Sequence, residues 1–388
     1  MTSKNKSNAA QKRLVLVTTV PQTFTSILKG QPSYLSRYFD VILITSPGRE
    51  VDTLRKENVP IYFVPMTRGI NVFSDIVSTC RMIRILHQLQ PDIVHSYTPK
   101  AGLVTMLAGY VCRVPFRIHT FTGLIWPTSS GILKKVLKFI DSIICFCATS
   151  VVPESKGVLN DLQSGGITSK PLSLIGWGNV AGVDLKYFSP FDVEVRMKSD
   201  EVRSRFGISN SDFVYIFVGR LHKEKGINEL LSAFVRMSID CHLFILGDVD
   251  HQCPISQFSL SLLKSHQRIH WLGFQADIRP ALQAADVFVL PSYREGFPNV
   301  LLQSAAMCLP AVATNINGCN EFISPGLNGW LIPVKDEKAI FQALYHAKNL
   351  SKSKLRSMGM LSRELVKARF ELNDHLQRML YFYGSFFN

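Results

Sequence analysis

From end to end the chain alternates short apolar runs with stretches of helical periodicity, and this alternation leaves few folds open to it. The runs are Arg13–Thr18, Phe39–Thr45, Val59–Val64, Asp92–Ser96, Phe116–Phe121 and Leu172–Ile175, followed by Val214–Val218, His242–Leu246, Ile269–Leu272 and Val287–Leu290. Runs this short, rich in Val, Ile and Leu, read as strands buried on both faces. The helical stretches between them make each run the first half of a βα unit, which predicts parallel sheets with helices on both sides. A length of 388 residues allows two or three domains of ordinary size. The turn-rich segment 176–184 closes one series of units and a charged stretch, 192–205, follows. A second series begins near Phe213. The boundary is therefore expected within 180–210, with one Rossmann-like domain over 13–190 and a second over 205–370. The last residues, 371–388, are aromatic-rich with a helical pattern.

Composition narrows the setting. The first residues, Met1–Arg13, are polar and Lys-rich and read as a loose tail. The apolar run after them is too short and too soon broken by Thr18 for a signal-peptide core. No window approaches about 18 uninterrupted apolar residues, so no transmembrane helix is predicted; Phe139–Val152 comes nearest and is broken by Asp141. Eight cysteines lie scattered without C-x-x-C pairs or histidines at metal spacing, and Cys145 and Cys147 read as small hydrophobes. Free thiols without a signal peptide point to the cytoplasm. The formal net charge of +14 fits a basic solvated surface, a nucleic-acid partner, or an anionic membrane with pyrophosphate ligands. No nucleic-acid module is recognisable, and the membrane reading accounts best for the sign. The stretch Ser130–Phe146 intersperses Ile132, Leu133, Val136, Leu137, Phe139 and Ile140 with Lys134, Lys135 and Lys138, just after Trp126. That pattern suits a basic amphipathic helix lying on a membrane, and equally a helix packed on a sheet.

The chemistry concentrates in residues 291–303, Pro-Ser-Tyr-Arg-Glu-Gly-Phe-Pro-Asn-Val-Leu-Leu-Gln. They follow the run ending at Leu290 and enter the helical stretch Val300–Met307. Glu295 thus lies in a loop at a strand's C-terminal end, just before a helix N-terminus. In open α/β sheets that edge binds ligands, and the helix end favours phosphate. A second loop, Val218–Gly226, carries Gly219, Arg220 and Lys225 between a strand and the helical stretch Ile227–Met237. Its cations suit a diphosphate, while its glycine permits close backbone approach. A third, Gly273–Pro280, brings Phe274 to a strand end, either lining a base pocket or entering the core. Asp286 reads as an anchor, Gly318 as a turn and Glu321 as structural. Asp248-Val-Asp250 is a literal D-x-D, and Gly176–Gly182 loosely resembles a dinucleotide loop; both read as turns.

Residues 291–303 resemble the signature of the retaining GT-B glycosyltransferases of family 4. The likeness extends from about Leu14 to the C-terminus. It is greatest to bacterial transferases that build O-antigen, capsule or glycoprotein oligosaccharides on polyprenyl-diphosphate lipids. The resemblance implies two Rossmann-like domains whose parallel sheets face each other across a cleft, with the 371–388 helix crossing back to the N-terminal domain. It implies that Glu295 holds the donor sugar and that Arg220 and Lys225 meet the leaving diphosphate. Gly219, Phe274, Gly296, Phe297, Pro298, Asn299, Val300 and Gln303 would line the nucleotide-sugar. Gln303 stands where the family has a second Glu for the ribose.

The acceptor is expected in the N-terminal half. Residues 92–102 look like the family's His-rich loop in the form that ends Thr-Pro-Lys-Ala-Gly, and Thr98 and Lys100 would contact phosphate or sugar there. His95, at the strand end, and His119, on the next strand, are counted with the acceptor contacts, although a lone histidine at a strand end is more often a satisfied structural residue. Thr122 occupies the position of the family's donor-contacting His, and His119 lies three residues earlier. Strand alternation sets His119 opposite Thr120 and Thr122, so Thr122 is the positional match. Gly30, in residues 29–35, resembles a close-approach glycine with a helix over 34–39 after it, or else belongs to an ordinary βα loop.

Together these features predict a membrane-associated cytoplasmic enzyme, a retaining, metal-independent hexosyl- or N-acetylhexosaminyltransferase. Its donor would be a UDP- or GDP-sugar, with no cofactor beyond that substrate, and its acceptor a polyprenyl-diphosphate-linked saccharide. Two alternatives remain: a GT-B-type nucleotide-sugar epimerase, and a weakly active nucleotide-sugar-binding subunit.

Overall fold

The computed structural model of the chain describes residues 11–67, 69, 71–250 and 253–387. The Lys-rich stretch read as a tail falls outside them up to residue 10. Two compact units emerge: one comprises residues up to Glu154 with Leu159–Ile175 and the C-terminal segment from Leu376, and the other comprises Ser155–Val158 and Gly176–His375.

In the first unit the strands are β1 (Arg13–Val17), β2 (Asp40–Thr45), β3 (Ile61–Phe63), β4 (Ile93–Ser96), β5 (Phe116–Phe121) and β6 (Ser150–Pro153). Its helices are α1 (Gln31–Leu35), α2 (Val51–Leu54), α3 (Val72–Leu89), α4 (Pro99–Val111) and α5 (Gly131–Cys147), with α6 (Lys156–Ser164) at its edge. All strands pair in parallel in the order β3-β2-β1-β4-β5-β6. This is the doubly wound order, which reverses direction between β1 and β4. The central strand is apolar on both faces, and Leu14–Val17 are wholly buried.

The second unit contains β7 (Phe213–Val218), β8 (Cys241–Leu246), β9 (Ile269–Gly273), β10 (Val287–Leu290), β11 (Ala311–Thr314) and β12 (Gly329–Ile332). Its helices are α7 (Val193–Arg205), α8 (Ile227–Phe234), α9 (Gln257–Ser265), α10 (Arg279–Gln283), α11 (Asn299–Ala306), α12 (Cys319–Phe322), α13 (Glu337–Lys348) and α14 (Lys352–Arg369); α15 (Leu372–Gly384) follows. The parallel order β12-β11-β10-β7-β8-β9 is the same winding repeated, with its reversal between β7 and β10. One apolar core, from Val214–Phe217 through Val287–Leu290 to Ala311–Ala313, holds this sheet together.

Three strands, β6, β11 and β12, have no counterpart among the predicted runs. Only Ala148 and Thr149 separate β6 from α5, so helix and strand merge into one apolar segment in the sequence. Cys145 and Cys147 lie buried near the end of α5, packed as small hydrophobes. In β11 and β12 the strand residues are Ala-Val-Ala-Thr and Gly-Trp-Leu-Ile, too short and mixed to register as apolar runs. Conversely, Leu172–Ile175 is no strand; Leu172 forms a single bridge with Val151.

The units divide at Ile175 and Gly176, upstream of the 180–210 interval. Segment 183–192 is tied to the second unit: Val183 pairs with Glu371, and the Arg363 guanidinium donates to the carbonyls of Leu185 and Phe188. Arg279 stacks on Tyr187 at 3.7 Å.

Candidate active site

The reversal between β7 and β10 is where a doubly wound sheet opens a crevice at its C-terminal edge. The loops leaving these two strands are Gly219–Gly226 and Pro291–Pro298. They touch so closely that Gly226, at φ 69°, has no room for a side chain; a Cβ there would come within 2.1 Å of the Pro291 carbonyl oxygen. Between them the Lys225 ammonium binds the Glu295 carboxylate at 2.5 Å, both side chains largely shielded from solvent. Arg294 donates to Glu224 at 2.7 Å, and the Tyr293 amide donates to the Glu224 carbonyl at 2.8 Å. The Tyr293 hydroxyl donates to Glu229 on α8 at 2.5 Å. The two loops therefore form one polar platform anchored on α8.

Arg220 leaves the platform toward the β8 loop, where its guanidinium meets Asp250 at 2.5 Å. Its side chain is 55% exposed and that of Asp250 only 11%, so the cation remains open to a ligand while the carboxylate is packed away. This corrects the reading of Asp248-Val-Asp250 as a mere turn. Asp248 accepts from the Phe274 amide at 3.2 Å, and Asp250 is the counter-ion of Arg220. Nothing in sequence spacing links residues 220 and 250; the parallel pairing of β7 with β8 does.

Beyond Glu295, α11 begins at Asn299 with no side-chain cap and no acidic residue in its first turn. An uncapped helix N-terminus leaves amide donors and positive potential for an anion. Asn299 accepts from the Asn179 amide at 2.5 Å, and Asn179 also holds the amides of Ala181 and Gly182. Gly296 and Pro298 are buried, Val300 leans on the core, and Gln303 is half-buried one turn further along α11. Phe297 is 3% exposed and packs against Phe370 at 5.1 Å, so its ring belongs to the core and only its backbone faces the loop. The opposite holds for Phe274, whose ring is 65% exposed at the end of β9. Gly219 sits in the β7 loop, and its carbonyl oxygen would lie 2.0 Å from any Cβ at Gly247.

The neighbouring βα unit buttresses this loop. A Cβ on Gly318, at φ 75°, would come within 2.6 Å of the Phe297 Cα, so Gly318 is a close-approach position. Glu321 accepts from the Lys156 and Gly157 amides at 2.8 and 2.9 Å, an amide-capping role. Asp286 accepts from the Val214 amide at 2.7 Å, pinning β7 as an anchor.

In the first unit the corresponding reversal lies between β1 and β4. There the Thr19 and Thr98 hydroxyls meet at 2.6 Å, and Thr19 also accepts from the Ala101 amide at 3.2 Å. Gly30, at φ 78°, has open space around it and donates its amide to Glu57 at 2.7 Å. The helix after it spans Gln31–Leu35, not 34–39. The Thr122 hydroxyl donates to the Tyr97 carbonyl at 2.9 Å.

Three expected acceptor contacts are committed elsewhere. His95 is fully buried; its ring nitrogens meet the Tyr383 hydroxyl at 2.6 Å and the Thr120 hydroxyl at 2.7 Å, and the ring stacks on Tyr97. Burial, with His119 as a lesser contributor, holds its pKa well below the usual histidine value. His119 is 1% exposed, meets Ser96 at 2.8 Å, and fills the space beside Gly102. Burial depresses its pKa to about 3. Lys100 forms a two-oxygen ion pair with Asp75, each contact 2.6 Å. The two histidines and the lysine are therefore engaged in structural contacts.

Among the described residues no cluster of three or more His, Cys, Asp or Glu side chains is arranged to hold a metal. All eight cysteines are free thiols. Cys319 is fully buried near Glu295 and Lys225, and burial pushes its thiol well above the ordinary range.

Both halves of the chain match family models. Residues 33–178 match the glycosyl transferase 4-like domain, and residues 212–348 match glycosyl transferases group 1. The chain belongs to this glycosyltransferase family. The capsular polysaccharide biosynthesis glycosyltransferase CapM of Staphylococcus aureus is 27% identical over 366 residues, covering 93% of this chain and 94% of that protein. The UDP-Gal:alpha-D-GlcNAc-diphosphoundecaprenol alpha-1,3-galactosyltransferase of Escherichia coli is 28% identical over 317 residues, 79% of each. Anabaena HepE, solved in complex with UDP-glucose, superposes with a TM-score of 0.79 at 17% identity, covering 96% of this chain and 99% of that one. That likeness is one of fold, and the fold is GT-B. The glycosyltransferase thus carries its Lys225–Glu295 pair on a platform at the reversal point of its second sheet.

Proposed function

We propose that this glycosyltransferase moves a hexose or N-acetylhexosamine from a UDP- or GDP-sugar to a polyprenyl-diphosphate-linked saccharide, with retention of anomeric configuration and without a divalent metal. The observation that carries the reading is the Lys225–Glu295 ion pair at the loop contact of β7 and β10. A nucleoside diphosphate arriving there exchanges partners with it. Lys225 and the exposed Arg220 turn to the diphosphate, whose other neighbour is the uncapped end of α11. Glu295, released from its ammonium, accepts from hydroxyls of the donor sugar. One charge contact at about 4 Å contributes around 4 kcal/mol at a surface-like dielectric before desolvation. It matters most in the transition state, when negative charge grows on the departing diphosphate. The acceptor hydroxyl attacks from the face the diphosphate leaves, and a phosphate oxygen takes its proton.

The acceptor class is supported by the Escherichia coli relative, which by its name acts on a diphosphoundecaprenol-linked sugar. It fits a protein of net charge +14 working as a peripheral enzyme at the inner, anionic face of the cytoplasmic membrane. Among the described residues no helix is long and apolar enough to cross that membrane.

The test is transfer of labelled sugar from a panel of UDP- and GDP-sugars to a prenyl-diphosphate-linked monosaccharide, in buffer containing EDTA. Activity should survive the chelator, and the anomeric proton coupling of the product should match that of the donor. Glu295→Ala should lower turnover about 100-fold while leaving the fold intact. Interconversion of the nucleotide-sugar without transfer would establish the epimerase instead. Binding without turnover would establish a nucleotide-sugar-binding subunit.

A further inference from the structure

An apolar cavity of about 120 Å³ lies in the first unit among α3, α4, α5 and the loop after β5. Pro99, Leu103, Phe121, Leu124, Leu137 and Ile140 are among the residues that line it. Its polar neighbours are spent. Lys100 and Asp75 neutralise each other at 2.6 Å, and Asp141 is a buried carboxyl against Trp126 whose pKa burial raises to about 7. Among the described residues no ion pair reaches Asp141, and its burial favours the neutral carboxyl. The walls thus present mainly carbon beside the mutually neutralised Lys100–Asp75 pair, poor material for holding sugar hydroxyls.

Two of the helices beside the cavity, α5 and α3, are apolar on their outer faces as well. On α5, Ile132 is 80% exposed, Phe139 67% and Phe146 68%. On the first turns of α3, Val72 is 68% exposed, Phe73 79% and Ile76 57%. The same stretch of α5 carries Lys134 and Lys138, whose ammonium groups lie 5.8 and 5.3 Å from the Trp126 ring. An apolar hole flanked by apolar outer turns and lysines complements a ligand that is an apolar chain at one end and an anion at the other.

We infer that the cavity receives a segment of the isoprenoid chain of an isoprenoid diphosphate. At about 120 Å³ it is smaller than the roughly 300 Å³ of a whole-ligand pocket, so it takes a piece of chain near the diphosphate and leaves the rest outside. The inference rests on the reading of the acceptor as prenyl-diphosphate-linked and adds which residues recognise its lipid.

Calorimetric titration of the full chain with farnesyl diphosphate, dodecyl diphosphate and inorganic pyrophosphate tests it. Wild type should bind farnesyl diphosphate at least about tenfold more tightly than pyrophosphate, and more tightly than the straight chain. Leu137→Trp and Leu103→Trp fill the cavity from α5 and from α4. Each should bring farnesyl diphosphate to within about threefold of pyrophosphate, with UDP binding unchanged as the sign of an intact fold. Equal binding of all three probes by wild type, parity of the straight chain with farnesyl, or a full farnesyl preference in both filled variants would overturn it. A wild type that transfers sugar equally well to a diphosphate-linked sugar on a methyl group and on a farnesyl chain would overturn it too, while leaving the transferase reading standing. Failure to transfer to any diphosphate-linked sugar, with farnesyl binding as expected, would overturn the acceptor reading and leave the cavity assignment.

Discussion

At the scale of single residues, the second unit is organised by ion pairs whose partners come from different loops. Lys225 with Glu295, Arg220 with Asp250 and Arg294 with Glu224 each join two strand ends. Such pairs hold cations in place and leave them exchangeable, as the proposed exchange of Lys225 and Arg220 onto a diphosphate requires. Gln303, one turn into α11, is a test of how far the family's ribose contact persists here. Gln303→Ala should weaken UDP or GDP binding by about 1 kcal/mol, the net worth of one hydrogen bond. Gln303→Glu should keep or tighten it, since a carboxylate is the stronger acceptor for ribose hydroxyls. Titration of the free nucleotide measures both, and an unchanged affinity in the alanine variant removes Gln303 from the site.

Asp141 makes a second residue-scale prediction. Burial raises its folded pKa to about 7 from an ordinary carboxyl value, so the folded state holds a proton that the unfolded chain releases. Through the window from about pH 4 to 7 the group makes stability fall as pH rises, by up to about 1.4 kcal/mol per unit. Asp141→Asn should abolish that slope. Thermal unfolding at pH 5 and pH 8 should show a smaller alkaline loss in the variant than in wild type, and equal losses would place the charge in solvent.

At the scale of elements, α5 is the instructive case. Its buried side is made by Asp141, Ile144, Cys145 and Cys147, while Ile132, Leu133, Phe139 and Phe146 face outward. The sequence offered two readings, a helix on a membrane or a helix on a sheet, and the structure gives α5 a packed face and an exposed apolar face at once. Changing Lys134, Lys135 and Lys138 together to Glu should release the enzyme from anionic vesicles in a flotation assay, and wild-type binding should weaken as salt rises. Vesicle binding indifferent to both changes would show that the exposed face serves something other than an anionic bilayer.

At the scale of the molecule, the C-terminal segment belongs to the first unit although the chain has by then traversed the second. Tyr383, fully buried, meets His95 at 2.6 Å and Tyr97 at 3.0 Å, and Phe386 and Phe387 pack on Phe116. Tyr383→Phe strands two buried polar partners, a cost of about 1–3 kcal/mol. It should lower the unfolding midpoint by a few degrees while leaving UDP binding in place. An unchanged midpoint would mean that His95 and Tyr97 find other partners.

The sequence alone was enough for the alternating βα plan, because a strand buried on both faces must be written in consecutive apolar residues and a helix in a 3.6-residue period. It was also enough to bring Glu295, Arg220 and Lys225 to notice, because a loop between strand and helix records its strand end locally. Strands such as β11 and β12 escaped it, since what makes them strands is pairing with β10 and with each other rather than their own Ala, Gly and Trp. The fate of the polar residues in the first unit escaped it for the same reason. His95, His119 and Lys100 look like site residues in one dimension, and only the packing of Tyr383, Ser96 and Asp75 around them decides that they are structural. Asp250 runs the other way, an unremarkable turn residue until the pairing of β7 with β8 makes it the partner of Arg220. Local pattern encodes which elements form; burial and pairing, which are properties of the whole fold, decide which side chains remain free to do chemistry.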